Sequence, residues 1–428
     1  MSRAFLAAEV KEEIRRRIDI IALVGAHASL KKSGRYYKAL CPFHQEKTPS
    51  FHVDPERGLF HCFGCGAGGD IFDFVMRTAG LGFMEAAQEL AGRAGVRLET
   101  SPEAARRATE REQILRALDG AREHFRTMMA AKGEKARAHL ARRGVTAEVA
   151  SRFQLGYAPP GWDGLLVALQ GKGYLPAVLE QAGLVAARQG GDGYYDVFRD
   201  RLMFPIFDLQ DRVVAFGGRA LDDAEPRYLN SKDTPAFSKG RVLYALGSAR
   251  EAVRERGEIL VVEGYMDALA CHQFGFSNAV ASLGTALTAD QVAILRRFAP
   301  RVVLIYDSDR AGEAATERGL SLCEEADLWA RVVVLPDGED PDSYLRTQGP
   351  DAFARLVEAA LPMFEYRVAL AARRHDAGTR EGKVALVDEV LTAIQSVANP
   401  VRAAEYVRAL AERFDVPEDA LRLQLRAR

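Results

Sequence analysis

The chain has 428 residues, 48% of them hydrophobic and 27% charged, with a formal net charge of −1 at pH 7. That length exceeds one ordinary core, so two or three domains are expected; the near-neutral balance means that any polyanion-binding surface must come from local clustering. No apolar run approaches the roughly 18–20 residues of a membrane helix, and the N-terminal MSRAFLAAEVKEEIRRR lacks the apolar core of a signal peptide, so the cytoplasm is the expected compartment.

In chain order, Val10, Ile14, Ile18 and Ile21 have helical spacing over residues 9–24. Residues 35–63 read as short strands and turns. Helix returns over 70–92, with Asp70 at the N-cap. The polar stretch from Glu99 to about Arg111 reads as a linker passing into helix, and residues 112–153 read as helical. Residues 154–255 are mixed, with turn-rich strands. From 257 to about 350 strand and helix patterns alternate, the rhythm of a parallel sheet. Residues 351–428 are helical throughout, with breaks at Pro362, Gly378 to Gly382, Pro400 and Pro417.

Five cysteines occur, and three of them fall within CPFHQEKTPSFHVDPERGLFHCFGCGAGGD. Cys41 and His44 are separated by two residues, as are Cys62 and Cys65, with seventeen residues between the pairs. Two chelating pairs on tight turns suit one tetrahedral, structural zinc, and Pro42 and Gly64 suit the turns. A bland alternative is three free thiols beside a histidine. His52 and His61 are spare candidates outside any two-residue chelate. Cys271 and Cys323 read as small core residues. Arg35, Lys38 and Lys47 lie near the exposed aromatics of this segment, a combination suited to single-stranded nucleic acid by phosphate attraction and base stacking, although a solvated face has the same composition. Gly64, Gly66 and Gly69 match a dinucleotide pattern, but Cys65 inside it belongs to the metal pattern and no long buried strand precedes it.

A second cluster is acidic. The strand pattern VVLIYDSD ends in Asp307 and Asp309, ILVVEGYMD in Glu263, and RVVVLPDGEDPD leads to Asp340 and Asp342. Parallel strands place their C-terminal ends along one edge, where ligands bind. An all-oxygen set favours Mg²⁺ or Mn²⁺; the alternative is a set of solvated helix caps. Nucleotidyl transfer, topoisomerase cleavage and nuclease cleavage all use such a centre. A non-enzymatic single-strand binding protein with a degenerate metal site is a further reading. No phosphate-loop motif GxxxxGK[ST] occurs.

The stretch VFRDRLMFPIFDLQDRVVAFGGRAL, followed by PRYLNSKDTPAFSKGRVLYAL and joined to CPFH, HCFGC, EGYMD, ASLGTALT, YDSDRAG and LPDGEDPD, closely resembles bacterial DnaG-type DNA primases over nearly the whole chain. The resemblance implies a multidomain α+β protein. Its parts are an N-terminal zinc ribbon at 1–100, a linker at 101–111, a mixed α/β polymerase subdomain at 112–256, an α/β Toprim subdomain with a parallel sheet at 257–350, and a C-terminal helical subdomain at 351–428. It implies RNA primer synthesis from ribonucleoside triphosphates on a single-stranded DNA template. Glu263, Asp307 and Asp309 are then catalytic, and Glu263, Asp307, Asp309, Asp340 and Asp342 hold Mg²⁺ or Mn²⁺.

Arg199, Arg201, Arg219, Arg227, Tyr228, Asn230, Lys239 and Arg241 are candidates for nucleotide or DNA binding, since guanidinium pairs well with phosphate. Gly217 and Gly218 would let backbone approach a phosphate or strand. Three departures from the family pattern stand out: Arg227 in place of a common lysine, Ser238 in place of a frequent histidine, and Ser308 in place of the glycine of DGD. The family's replicative-helicase partner is expected too, but a C-terminal helicase-interaction domain of roughly a hundred residues is not expected in a chain that stops at Arg428.

Overall fold

The protein is described here by a computed structural model that covers residues 8–96, 102–188, 190–222, 224–284, 286–308, 310–397 and 399–427. It divides into two compact units, Met1–Thr109 and Glu110–Arg428.

In the first unit the expected helix over 9–24 is two helices, Ala8–Arg17 and Ile20–Gly25. The break falls where the Asp19 side chain accepts from the Ile21 amide and starts the second helix as its N-cap. Five antiparallel strands follow in sequence order: Lys31–Ser33, Tyr36–Ala39, Phe51–Asp54, Leu59–Cys62 and Gly68–Gly69. Alternation separates the two faces. Ala39, Phe51, Val53, Phe60 and Cys62 are buried on one side, where Phe43, Phe51, Phe60 and Phe74 meet ring to ring. The helix Ile71–Ala79 closes this core. Asp70 caps it by accepting from the Phe72 and Asp73 amides, and Gly80 ends it in the left-handed region at φ 68°.

The long helix Pro102–Lys132 leads into the second unit and takes in 102–111 of the expected linker; residues 99–101 of that linker lie outside the described residues. The helical pattern of 112–153 is interrupted at Gly133 and again at Gly144, giving Glu134–Arg142 and Ala147–Arg152 as separate helices. A four-stranded antiparallel sheet then runs in the order Tyr228–Asn230, Val213–Ala220, Arg201–Phe207, Gly156–Ala158.

The next sheet is the α/β layer predicted from the alternating pattern. Its order is Ala279–Ala281, Glu258–Val262, Arg301–Leu304, Trp329–Val332, Leu361–Pro362. The first three pairings are parallel. Pro362, expected to be a break between helices, instead sits in a two-residue antiparallel edge strand against Arg331–Val332. A proline fits that edge because no ladder donor is needed there. The central strands bury both faces. Leu260, Val262, Val303 and Ile305 pack into one core, while Ile259, Val261, Val302 and Leu304 pack into another. Such two-sided burial is what makes these strands read as continuous apolar runs. Four helices complete the chain: Met363–Arg374, Arg380–Ile394, Pro400–Phe414 and Glu418–Ala427. No helix among the described residues is long and apolar enough to cross a membrane.

Candidate functional site

Cys41, His44, Cys62 and Cys65 come together in the first unit, with their ligand atoms all within 4.8 Å of one another. Cys62 ends the strand Leu59–Cys62, and Gly66, at φ 72°, turns the chain back so that its amide reaches the Cys62 carbonyl at 3.0 Å. Cys41 Sγ lies 3.9 Å from Cys65 Sγ, and Cys62 Sγ lies 3.8 Å from His44 Nδ1. Zinc–sulfur bonds of about 2.3 Å in a tetrahedron give sulfur–sulfur edges of about 3.8 Å, so the four groups fit zinc. Burial pushes the Cys41 thiol up. At Cys62 burial also raises, but the Ser50 hydroxyl and the Cys65 and Gly64 amides outweigh it and leave the thiol lowered. His52 and His61 stand outside the cluster. They pair across strands on the open face of the sheet, continuing the row Lys31, Lys38, His52, His61. Phe63, 69% exposed, packs against both imidazoles at 4.9 and 4.6 Å, and Arg35 lies 4.7 Å over the Tyr36 ring.

In the second unit three parallel strands deliver carboxylates to one edge. Glu263 directly follows Glu258–Val262, and its Oε1 accepts from the Asp307 amide at 3.1 Å. Asp307 follows Arg301–Leu304 by three residues, and Asp309 lies outside the described residues. Ser308 accepts from the Gly338 amide at 2.8 Å, joining this loop to the one that carries Asp340. Asp340 caps the helix Pro341–Glu358 by accepting from the Ser343 amide at 2.6 Å.

Asp342 is engaged differently. It is buried, with Arg143 at 2.9 Å and Arg346 at 3.0 Å on its two oxygens. Its amide donates to Asp267 Oδ1 at 3.3 Å. Asp267, four residues beyond Glu263 in EGYMD, is a member of the edge that sequence reasoning missed; its place in that motif was the available signal. It is buried, accepts from the Gly264 amide at 3.0 Å, and its carboxyl is raised well above the usual range, by burial first and then by Asp340, Asp307 and Asp342. Converging oxygen donors that repel one another suit a hard divalent cation. Among the described residues, only the cysteine–histidine group has its ligand atoms all within 4.8 Å.

The basic candidates divide into two kinds. Arg201 is buried and donates to the Gly218 carbonyl at 3.0 Å. The Asn230 amide donates to the Leu283 carbonyl at 3.2 Å and accepts from the Tyr265 hydroxyl at 2.6 Å. These two side chains hold the protein's own backbone and core. Arg199 stacks on Trp162 at 4.4 Å and Tyr195 at 5.4 Å, and Arg219 lies 5.1 Å over the Tyr228 ring while donating to its hydroxyl. Arg227 is exposed, Lys239 is half-buried with its ammonium lowered chiefly by burial, and Arg241 sits 3.5 Å from Asp290 at the surface.

Half-buried His139 reports where cations converge. Its imidazole is lowered to about 4 by burial and then by Arg219, Arg142, Arg143 and Arg227. Arg142 and Arg143 were not singled out in the sequence; only the fold brings them to Arg219 and Arg227. The two glycines before Arg219 face inward. A Cβ at Gly217 would meet the Tyr265 ring at 2.3 Å, and one at Gly218 would meet Phe198 at 2.9 Å. Their close approach is to the protein's own side chains rather than to a phosphate.

Models of four protein families match in order: the CHC2 zinc finger over residues 6–106, the N-terminal domain of the DNA primase catalytic core over 124–250, a Toprim-like domain over 260–345, and the DnaB-helicase binding domain of primase over 364–419. The DNA primase of Clostridium acetobutylicum is 37% identical over 425 residues, covering 98% of this chain and 70% of that protein. The chain belongs to the DNA primases. The Pseudomonas aeruginosa primase is 43% identical over 385 residues, covering 88% of this chain and 58% of the relative. Among solved structures, the zinc-binding and RNA polymerase domains of the Aquifex aeolicus primase match with TM-score 0.65 and 34% identity, covering 97% of this primase and 99% of that chain. A DnaG catalytic domain bound to single-stranded DNA matches with TM-score 0.66 and 36% identity, covering 73% and 99%. The zinc finger and Toprim matches agree with a zinc site in the first unit and a divalent-metal site in the second. The match at 364–419 corrects an expectation: a helicase-binding domain, not expected in a chain that stops at Arg428, matches within the helices of 351–428.

Proposed function

We propose that this primase makes short RNA primers from ribonucleoside triphosphates on single-stranded DNA, with Glu263, Asp307 and Asp309 as catalytic acids and Mg²⁺ or Mn²⁺ as their metal. The observation that carries this reading is the single sheet edge that receives Glu263, Asp307 and Asp340 from three strands, with buried Asp267 beside them. Glu263, Asp307, Asp309 and Asp340 would hold the cation. When bound, it supplies positive charge for the attacking and leaving oxygens of a phosphoryl centre. The reaction joins the 3′-hydroxyl of one nucleotide to the α-phosphate of the next and releases pyrophosphate. Asp342, tied to Arg143 and Arg346, orients the helix beside the acids. Arg142 and Arg227, both exposed, supply cationic charge for triphosphate or template, with partly buried Arg143 and buried Arg219 adding to the local field. Arg199, Tyr228, Lys239 and Arg241 extend that assignment.

The open face of the first unit, with its row of lysines and imidazoles beside Phe63 and Tyr36, supports engagement of single-stranded template by charge and stacking. The segment 364–419 supports a replicative helicase as partner. The cytoplasm is the compartment consistent with that work. The test is incubation with single-stranded DNA, labelled ribonucleotides and Mg²⁺ or Mn²⁺. Short RNA that requires template supports the proposal; DNA cleavage without nucleotides, and no RNA, overturns it.

A further inference from the structure

Glu46 lies two residues beyond His44, and its side chain is 10% exposed. Its Oε1 accepts from the Cys41 amide at 2.8 Å and from the Ser50 amide at 3.0 Å. Its Oε2 takes the Ser50 hydroxyl and lies 3.4 Å from His44 Nε2. Ser50 Oγ in turn lies 3.2 Å from Cys62 Sγ and accepts from the Gly64 amide at 3.2 Å. One carboxylate therefore touches the turn that carries Cys41 and the ring of His44. Through Ser50 it reaches both the Cys62 sulfur and the turn before Cys65.

We propose that Glu46 is the positioning residue of the zinc site, fixing His44 as an Nδ1 ligand and tying the two chelating pairs together. The orientation of the imidazole carries the first part. Nδ1 faces the Cys62 sulfur at 3.8 Å, a tetrahedral edge, so the ring hydrogen belongs on Nε2, the atom that faces Glu46. A carboxylate on the second nitrogen of a ligating histidine sets its tautomer and raises its basicity. The second part follows from Ser50. Glu46 accepts the Cys41 amide together with the Ser50 amide and hydroxyl, and Ser50 Oγ meets the Cys62 sulfur and the Gly64 amide of the second pair.

The test uses the full chain with Glu46→Gln and Glu46→Ala. Zinc affinity is read by competition with a chromogenic chelator, and the His44 ring by nitrogen-detected NMR of the zinc-loaded protein. Glu46→Ala is expected to bind zinc about 10–100-fold more weakly. Glu46→Gln keeps an oxygen for the two amides, but its NH2 replaces Oε2 and accepts from neither the imidazole nor the hydroxyl. It is expected to weaken zinc by less and to let the His44 ring proton exchange faster. Should Glu46→Ala not fold, Glu46→Gln carries the test alone. Zinc affinity within about two-fold of wild type with an unchanged ring proton in Glu46→Gln, or metal on Nε2 in the wild type, overturns the proposal. The inference rests on the zinc site itself, so wild-type zinc content is the control: a wild type that takes up no zinc overturns the metal assignment rather than the role of Glu46.

Discussion

The Glu263 carboxylate accepts from the backbone amide of Asp307 at 3.1 Å, so the ends of two neighbouring parallel strands are joined at the point where their acids emerge. The link makes Glu263 both a charge and a brace. Glu263→Gln keeps an acceptor for the amide and removes the charge. It is expected to lower nucleotide incorporation by about 100-fold or more, with an unchanged midpoint of chemical unfolding. Steady-state priming and urea denaturation on the same preparation separate the two.

Arg227 and Arg201 were alike in the sequence and are unlike in the fold. Exposed Arg227→Ala is expected to weaken single-stranded DNA binding and reduce the slope of log affinity against log salt by about 1. Buried Arg201→Met is expected to leave that slope alone and lower stability instead, since the Gly218 carbonyl loses its donor. Fluorescence anisotropy over a salt series distinguishes them.

Much of the site was legible because its determinants are local. The zinc pairs are two short chelates, and Glu263 and Asp307 follow strands whose apolar runs identify them. What was not legible depends on distance in the chain. Asp342 looks like its neighbour Asp340, yet it is held by Arg143, 199 residues away. Gly217 and Gly218 read as a phosphate approach because the Tyr265 and Phe198 side chains that fill the space come from other elements. Asp267 stands inside the EGYMD motif with nothing local to mark it, since its burial beside three other acids comes from distant parts of the chain. The edge strand at Pro362 is too short to carry a period.

The Asp342 arrangement makes its own prediction. Asp342→Asn leaves two guanidinium groups, 24% and 30% exposed, without their counter-charge. With solvent screening at those exposures, a loss of about 1–2 kcal/mol is expected. It should appear in the unfolding of the second unit and not in zinc binding by the first.

His272 sets a pH dependence. Burial lowers its imidazole to about 4, with Arg152 adding to this, while its ring nitrogen bonds the Ala279 carbonyl at 2.9 Å. The unfolded chain takes up a proton near pH 6.5 that the folded chain refuses until about pH 4. The contribution is complete above pH 6.5 and is lost as pH falls towards 4, about 3 kcal/mol over the whole window. Between pH 7 and 5.5 the wild type is expected to lose about 1 kcal/mol more than His272→Gln. Unfolding free energies measured at both pH values give that difference directly.

The most direct measurement of the central claim is template-dependent ribonucleotide incorporation by the full chain and by Asp307→Asn, with Mn²⁺ binding followed by electron paramagnetic resonance on the same samples. The acid edge as metal-binding catalytic site predicts that Asp307→Asn loses incorporation and binds Mn²⁺ more weakly, while zinc content and unfolding stay at wild-type values. Incorporation by Asp307→Asn at the wild-type rate, with Mn²⁺ binding unchanged, would contradict it.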